Sequence, residues 1–243
     1  MKLQKLLSHV RRCDTDFGLI SSGDKIAVGL SGGKDSLALL YALAAYRRFC
    51  TNPYELSAVV IDAGAGADYS PLVPMCAQLD VPLHIVETQI YQIVFDERKE
   101  KNPCSLCAKM RRGALDGKLN ELGCNTLALG HNADDMVETF LLSLVYESRL
   151  STLSPKSYLD RSGIKLIRPL LYTREKETAA FVAENNITVI KNPCPADGAT
   201  KREDMKELIK KINGIAPFAF DNMHSALVHP ERNNLLDKLR RGD

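Results

Sequence analysis

Residues 25–36 read Lys-Ile-Ala-Val-Gly-Leu-Ser-Gly-Gly-Lys-Asp-Ser, and this stretch decides the fold. Its first half is a short apolar run with strand character, and a Leu- and Ala-rich helix is expected from about 35 to 49. Between them lies Ser31-Gly32-Gly33-Lys34-Asp35-Ser36. Two glycines at a strand-to-helix junction let successive backbone N–H groups face one anion, and the helix start adds its positive end. Ser31 and Ser36 supply hydroxyl donors and Lys34 a point charge. Asp35 beside an anion becomes tolerable if a magnesium ion bridges it to phosphate. A turn chosen for tight packing explains the glycines but not the four residues around them. The spacing also differs from the longer Gly-x-x-x-x-Gly-Lys loop that serves γ-phosphoryl transfer.

Outward from the loop, strands and helices alternate. Strands are expected at 56–61, 83–86, 126–129, 164–168 and 187–190. Helices are expected at 71–79, 103–122, 134–145, 175–184 and 203–212, and an amphipathic one opens the chain with Leu3, Leu6, Leu7 and Val10. Short apolar strands separated by helices predict an α/β fold, a parallel doubly wound sheet with helices on both faces. Ligands of such sheets bind beyond the carboxyl ends of the strands, where Ser31, Asp62, His131 and Arg168 all fall. The expected layout is an N-terminal helix at 1–20, one nucleotide-binding domain at 21–215 and a tail at 216–243.

A net charge of +2 gives no overall field that would draw nucleic acid, so any RNA surface must be local. The basic clusters Arg11-Arg12, Arg47-Arg48, Lys109 with Arg111-Arg112, Lys201-Arg202 and Lys210-Lys211 read individually as solvated helix faces. No apolar run has the length of a membrane span, and the first residues do not read as a secretory leader. The expected location is the cytoplasm.

Seven cysteines are present. Cys13, Cys50, Cys76 and Cys124 sit in or near apolar helical patterns and read as small core residues. Cys104 and Cys107 differ: in Lys101-Asn-Pro-Cys-Ser-Leu-Cys107, Asn102 is an expected N-cap and Pro103 the first helical residue, so both thiols share a first turn whose dipole favours thiolates. Lys-Asn-Pro-Cys recurs at 191–194. Cys104, Cys107 and Cys194 form a candidate metal site with three protein ligands. Zinc with a fourth ligand, a redox dithiol at Cys104 and Cys107, and an iron–sulfur cubane with one open iron all fit this set.

Gly130-His131-Asn132-Ala133-Asp134-Asp135 follows a strand and opens a helix that carries Glu138 and Thr139. Capping explains one acid here, not three. Gly130 and His131 are candidate nucleotide contacts, and Asp135 is the candidate catalytic carboxylate of the segment, one turn from Glu138. Lys34 and Asp35 are the candidate catalytic residues of the loop, with Asp62 as a further nucleotide contact.

The 31–36 loop resembles the PP-loop of the N-type ATP pyrophosphatases, which cleave ATP between the α and β phosphates. Taken in order with Cys104-x-x-Cys107, the 130–139 segment, Arg168-Pro-Leu-Leu171 and Cys194, it resembles the TtcA family of tRNA 2-thiocytidine synthetases over about residues 20–200. The resemblance implies ATP, Mg²⁺ and a 4Fe–4S cluster on Cys104, Cys107 and Cys194. It implies adenylation of a pyrimidine C2 oxygen in tRNA, followed by sulfur transfer through the open iron. Cysteine desulfurase or free sulfide would donate the sulfur, and a homodimer is compatible. The chain departs from the pattern in having no strongly basic extension, and it lacks the paired zinc-finger cysteines of related thiolases. Two other classes share some of these features: a PP-loop ligase of lysidine-synthetase type, which needs no thiolate cluster, and a non-enzymatic nucleotide- or cluster-binding sensor.

Overall fold

The computed structural model describes residues 1–98, 103–159, 162–191, 193–194 and 201–232. Six strands form one sheet in the order β3-β2-β1-β4-β6-β5. They are β1 (Asp24–Gly29), β2 (Tyr54–Asp62), β3 (Leu83–Glu87), β4 (Thr126–Ala128), β5 (Lys156–Tyr158) and β6 (Lys165–Ile167). Every pairing is parallel except β5 with β6. The chain builds outward from β1 to one side and then crosses to β4 on the other, so β1 and β4 flank the point where the order reverses. Crevices form at such points, above the carboxyl ends.

The helices are α1 (Leu3–Phe17), α2 (Lys34–Tyr46), α3 (Leu72–Gln78), α4 (Pro103–Glu121), α5 (Ala133–Glu147), α6 (Glu175–Glu184), α7 (Lys201–Ile215) and α8 (Ala219–Val228). Apolar residues surround α2 on all sides, and Leu37, Leu39, Leu40 and Leu43 are all fully buried. A helix apolar all round must be covered all round. Here α1 and α6 pack against it, and it also meets β1 and β2. Truncating any one of these leucines to Ala should cost about 2–5 kcal/mol. A second cluster joins Ala27, Val59, Leu127 and Leu166 of the sheet to Leu119 of α4. The α/β doubly wound expectation holds.

Two expectations are corrected at the sheet edge. Strand β5 is antiparallel and escapes the sequence pattern, because Lys-Ser-Tyr offers no apolar run and only one of its residues is even half-buried. Residues 187–190 are not a strand. The Ile190 N–H instead donates one bond, of 3.0 Å, to the carbonyl of Gly32.

The chain divides into two compact units, Met1–Ala133 with Ser154–Asp197, and Asp134–Leu153 with Gly198–Asp243. The first holds the whole sheet and the phosphate loop. In the second, α7 packs against α8, and the Phe220 N–H donates to the Asn213 side chain at 3.0 Å. The segment expected as a tail thus contains a helix with Ala219, Phe220 and Val228 buried. Among the described residues no helix is long and apolar enough to cross a membrane.

Candidate active site

The turn after β1 folds around its own serines. Ser36 Oγ donates to the Gly33 carbonyl at 2.9 Å and accepts the Ser31 N–H at 3.2 Å, while Ser31 Oγ accepts the Gly33 N–H at 3.3 Å. Gly33 is the N-cap of α2, so the helix start, with its first-turn N–H groups and positive end, follows directly on the loop. Gly32 has φ of 80°, and a Cβ there would meet the Ile190 side chain at 2.7 Å. Gly130 is required for a different reason. A Cβ on it would stand 2.9 Å from the backbone of Asp35 and Ser36. Of the two expected nucleotide contacts beyond the loop at β4, Gly130 therefore buttresses the loop from behind, and half-buried His131 follows it.

Lys34 Nζ lies 2.9 Å from Asp35 Oδ2 and 2.8 Å from Glu175 Oε1. Burial alone would depress the pKa of Lys34. The hydrogen bond to Glu175 and the charge of Asp35 outweigh it and hold the pKa above its ordinary value. Lys34 is therefore a cation throughout the physiological range. The other oxygen of Asp35 accepts the Asn132 amide at 3.2 Å and faces the Thr178 hydroxyl. Asn132 is itself fixed by a bridge to Leu170, and the next N–H, of Ala133, donates to the Thr173 carbonyl at 2.9 Å. Asp62, at the end of β2, accepts the Gly64 N–H at 2.9 Å on its side chain.

A cavity of about 130 Å³ opens beside the loop, bordered by Ser31, Gly33, Asp62, Arg111, Lys191 and Pro193. A second, apolar one of about 240 Å³ lies between the sheet and α4, with Ser31, Arg111 and Arg112 at its polar edge. Arg111 borders both, and its buried Nε has no hydrogen-bond partner. Sequence reading passed over Arg111 as one of a solvated basic group. The signal was its position four residues beyond Cys107, on the same helix face.

Cys104 is exposed and Cys107 half-buried on the first turn of α4, where Cys107 packs against Ala63, Ile90 and Val94. Asn102, the expected cap, lies outside the described residues. Cys194 is half-buried and follows Pro193 of the loop-side cavity. Among the described residues no three His, Cys, Asp or Glu side chains stand close enough to share a metal ion. The donor set is nevertheless soft and undivided: none of the seven cysteines forms a disulfide. One cavity is bordered both by α4, through Arg111, and by the residue before Cys194. In kind, these thiols suit an iron–sulfur cluster. Cys13 and Cys76 are buried, as core residues should be, and burial pushes the Cys13 thiol up to about 12.

In the second unit, Asp135 and Glu138 share one partner. The Arg202 guanidinium stands 3.6 Å from Asp135 and 3.5 Å from Glu138, and it donates to Thr139 Oγ1 at 3.2 Å. The two acids, one helical turn apart, thus flank an arginine.

A parallel sheet with a Ser-Gly-Gly-Lys-Asp-Ser turn at its order reversal defines a nucleotide-binding protein of the PP-loop class, and residues 2–212 match the PP-loop domain family. A tRNA-cytidine(32) 2-sulfurtransferase of Pelobacter propionicus is 37% identical, over 98% of this chain and 90% of that protein. One from Geobacter metallireducens is 36% identical over 98% and 94%. The solved U34-tRNA thiolase NcsA from Methanococcus maripaludis, with its [4Fe-4S] cluster, superposes with a TM-score of 0.72 at 25% identity, over 93% of this chain and 79% of that one. The chain belongs to the TtcA family of tRNA-cytidine 2-sulfurtransferases within the PP-loop proteins.

Proposed function

We propose that this chain thiolates a cytidine of tRNA at C2, using ATP. The C2 oxygen attacks the α-phosphate, the Pα–O bond to pyrophosphate breaks, and the oxygen carries AMP. A sulfide nucleophile then forms the C–S bond, and AMP leaves with the oxygen. The adenylated oxygen is the better leaving group, so the first step makes the second feasible.

The observation that carries this reading is the cavity shared by Ser31, Gly33, Arg111 and Pro193. It puts the phosphate loop beside both cysteine-bearing segments. In the loop, the α2 N–H groups and Lys34 would bind pyrophosphate and stabilise the charge that develops on it. Asp35, oriented by Asn132 and Thr178, would hold Mg²⁺, and Asp62 would contact the nucleotide. Cys104, Cys107 and Cys194 would hold the cluster, which supplies an iron with an open position for sulfide. Asp135 is proposed to act on the substrate, with Arg202 setting its direction. Sulfide, free or released by a cysteine desulfurase, is the proposed donor, and a homodimer the proposed assembly. The nucleotide-binding domain is proposed to span 21–215, after a helix at 1–20.

The test is anaerobic turnover of reconstituted protein with tRNA, ATP and sulfide, followed by mass spectrometry of the digested nucleosides. Expected products are 2-thiocytidine, AMP and pyrophosphate. Cys107→Ser should form no 2-thiocytidine, and Lys34→Ala should form it about 10²- to 10³-fold more slowly while keeping its iron. ADP as product, or thiolated nucleoside from a cluster-free variant, overturns the proposal.

A further inference from the structure

Beyond the apolar cavity, on the side away from the loop, a second depression lies between α4 and the β5–β6 edge. Lys109, Arg112, Asp116, Tyr158 and Arg168 line it. Arg112, Leu159 and Leu166 border both cavities, so the two adjoin.

Its charges are unusual. Among the described residues Lys109, Arg112 and Arg168 make no ion pair; one Nη of Arg168 donates to the Ser154 carbonyl, and its buried Nε has no partner there. Burial, and then the like charge of Arg112, depress the pKa of Arg168. Asp116, the carboxylate among the described lining residues, makes no salt bridge with another described residue. Burial raises its pKa although Arg112 works against this. Three cations gathered around a single unpaired carboxylate cost stability, and such arrangements mark binding sites more often than structural ones. Beside them the Tyr158 ring is 63% exposed on an edge strand. Cations beside an exposed aromatic ring fit a single-stranded nucleic acid, whose phosphates take the charges and whose bases stack. An acidic protein would use the cations but leave the ring without a role.

We propose that Lys109, Arg112, Arg168 and Tyr158 form the docking surface for a loop of the substrate RNA. The cations hold phosphodiesters and Tyr158 stacks on a base. This sets a neighbouring nucleotide at the apolar cavity that leads to Ser31. The inference rests on the proposed function and names the residues that receive its substrate.

The experiment measures tRNA affinity of the full chain over a salt series for wild type, Arg112→Gln, Tyr158→Ala and Arg48→Gln. Arg48 is exposed at the far end of α2 and serves as the charge control. Melting temperatures verify that each variant folds. Arg112→Gln should weaken binding and reduce the slope of log K against log salt by about 1. Tyr158→Ala should weaken binding about 5- to 100-fold with the slope unchanged. Arg48→Gln should behave as wild type. Folded variants that bind tRNA with wild-type affinity and slope overturn this inference and leave the proposed function standing. A wild-type protein with no affinity for tRNA overturns both.

Discussion

The amine of Lys34 is held 2.8 Å from the carboxylate of Glu175, a residue 141 positions later at the start of α6. This contact crosses the first unit from the phosphate loop to the helix that packs on α2. It holds the cation between Asp35 and the start of α6 before any nucleotide arrives. Lys34→Ala should lower AMP formation about 10²- to 10³-fold, the scale for losing one donor to developing charge. The side chain is partly solvated, so the melting temperature should move little. Pyrophosphate release and calorimetry on the same sample check both halves.

Asp35 depends on Thr178. The Thr178 hydroxyl is fully buried and faces both Asp35 Oδ1 and, at 2.8 Å, the Glu175 carbonyl; its single proton serves one at a time. Thr178→Val leaves the shape and removes the donor. Stability should fall by about 1–3 kcal/mol, and the Mg²⁺ requirement for ATP cleavage should rise. A magnesium titration of turnover at fixed ATP reads the second effect.

Gly130→Ala should damage the nucleotide site without touching any phosphate-binding side chain. The new Cβ would press on the backbone between Asp35 and Ser36, which has no flexible end to move aside. The expected result is weaker ATP binding with the sheet intact, seen by nucleotide titration and circular dichroism.

Thiol reactivity should sort the cysteines. With a pKa of about 12, Cys13 exposes about one thiolate in 10⁴ at pH 8. In cluster-free protein, alkylation at pH 8 should label exposed Cys104 first and leave Cys13 and Cys76 unlabelled until the chain is denatured. Peptide mass spectrometry gives the order.

Glu177 predicts a pH effect on stability. Burial pushes its carboxyl up, but Lys5, the Arg174 N–H and His9 together bring it below its ordinary value. A carboxylate depressed in the folded state stabilises it above the unfolded value of 4.5, and that contribution is lost as pH falls through the folded value. Glu177→Gln should therefore lower the melting temperature at pH 7, and the difference from wild type should shrink below about pH 4.5. Thermal melts from pH 3 to pH 7 test it.

Much of this site was legible in the sequence because its chemistry is compressed into short strings. The Ser31–Ser36 loop sits between β1 and α2 as read, and α6 spans 175–184 as expected. What escaped depends on distance along the chain. Glu175 and Thr178 reach Asp35 and Lys34 only through folding, and nothing in their local pattern separates them from the polar face of a helix. Strand β5 lacks an apolar run because it lies on an edge. Residues 187–190 carry the apolar alternation of a strand, yet Ile187 is buried and Ile190 covers Gly32 without a ladder. The Arg111-Arg112 pair illustrates the same difficulty: solvated and site-facing arginines look alike until the helix is placed on the sheet.

The bond from Ile190 to Gly32 sets a leash length. Cys194 lies four positions beyond Ile190, and four such steps span at most about 14 Å when fully stretched. The Cys194 backbone therefore stays within that reach of Ile190, which is bonded to the Ser31–Ser36 turn at Gly32. Cys194 and the loop are thus joined by a short length of chain rather than by a long arm. Lengthening the 191–193 stretch by a few glycines would slacken this tether.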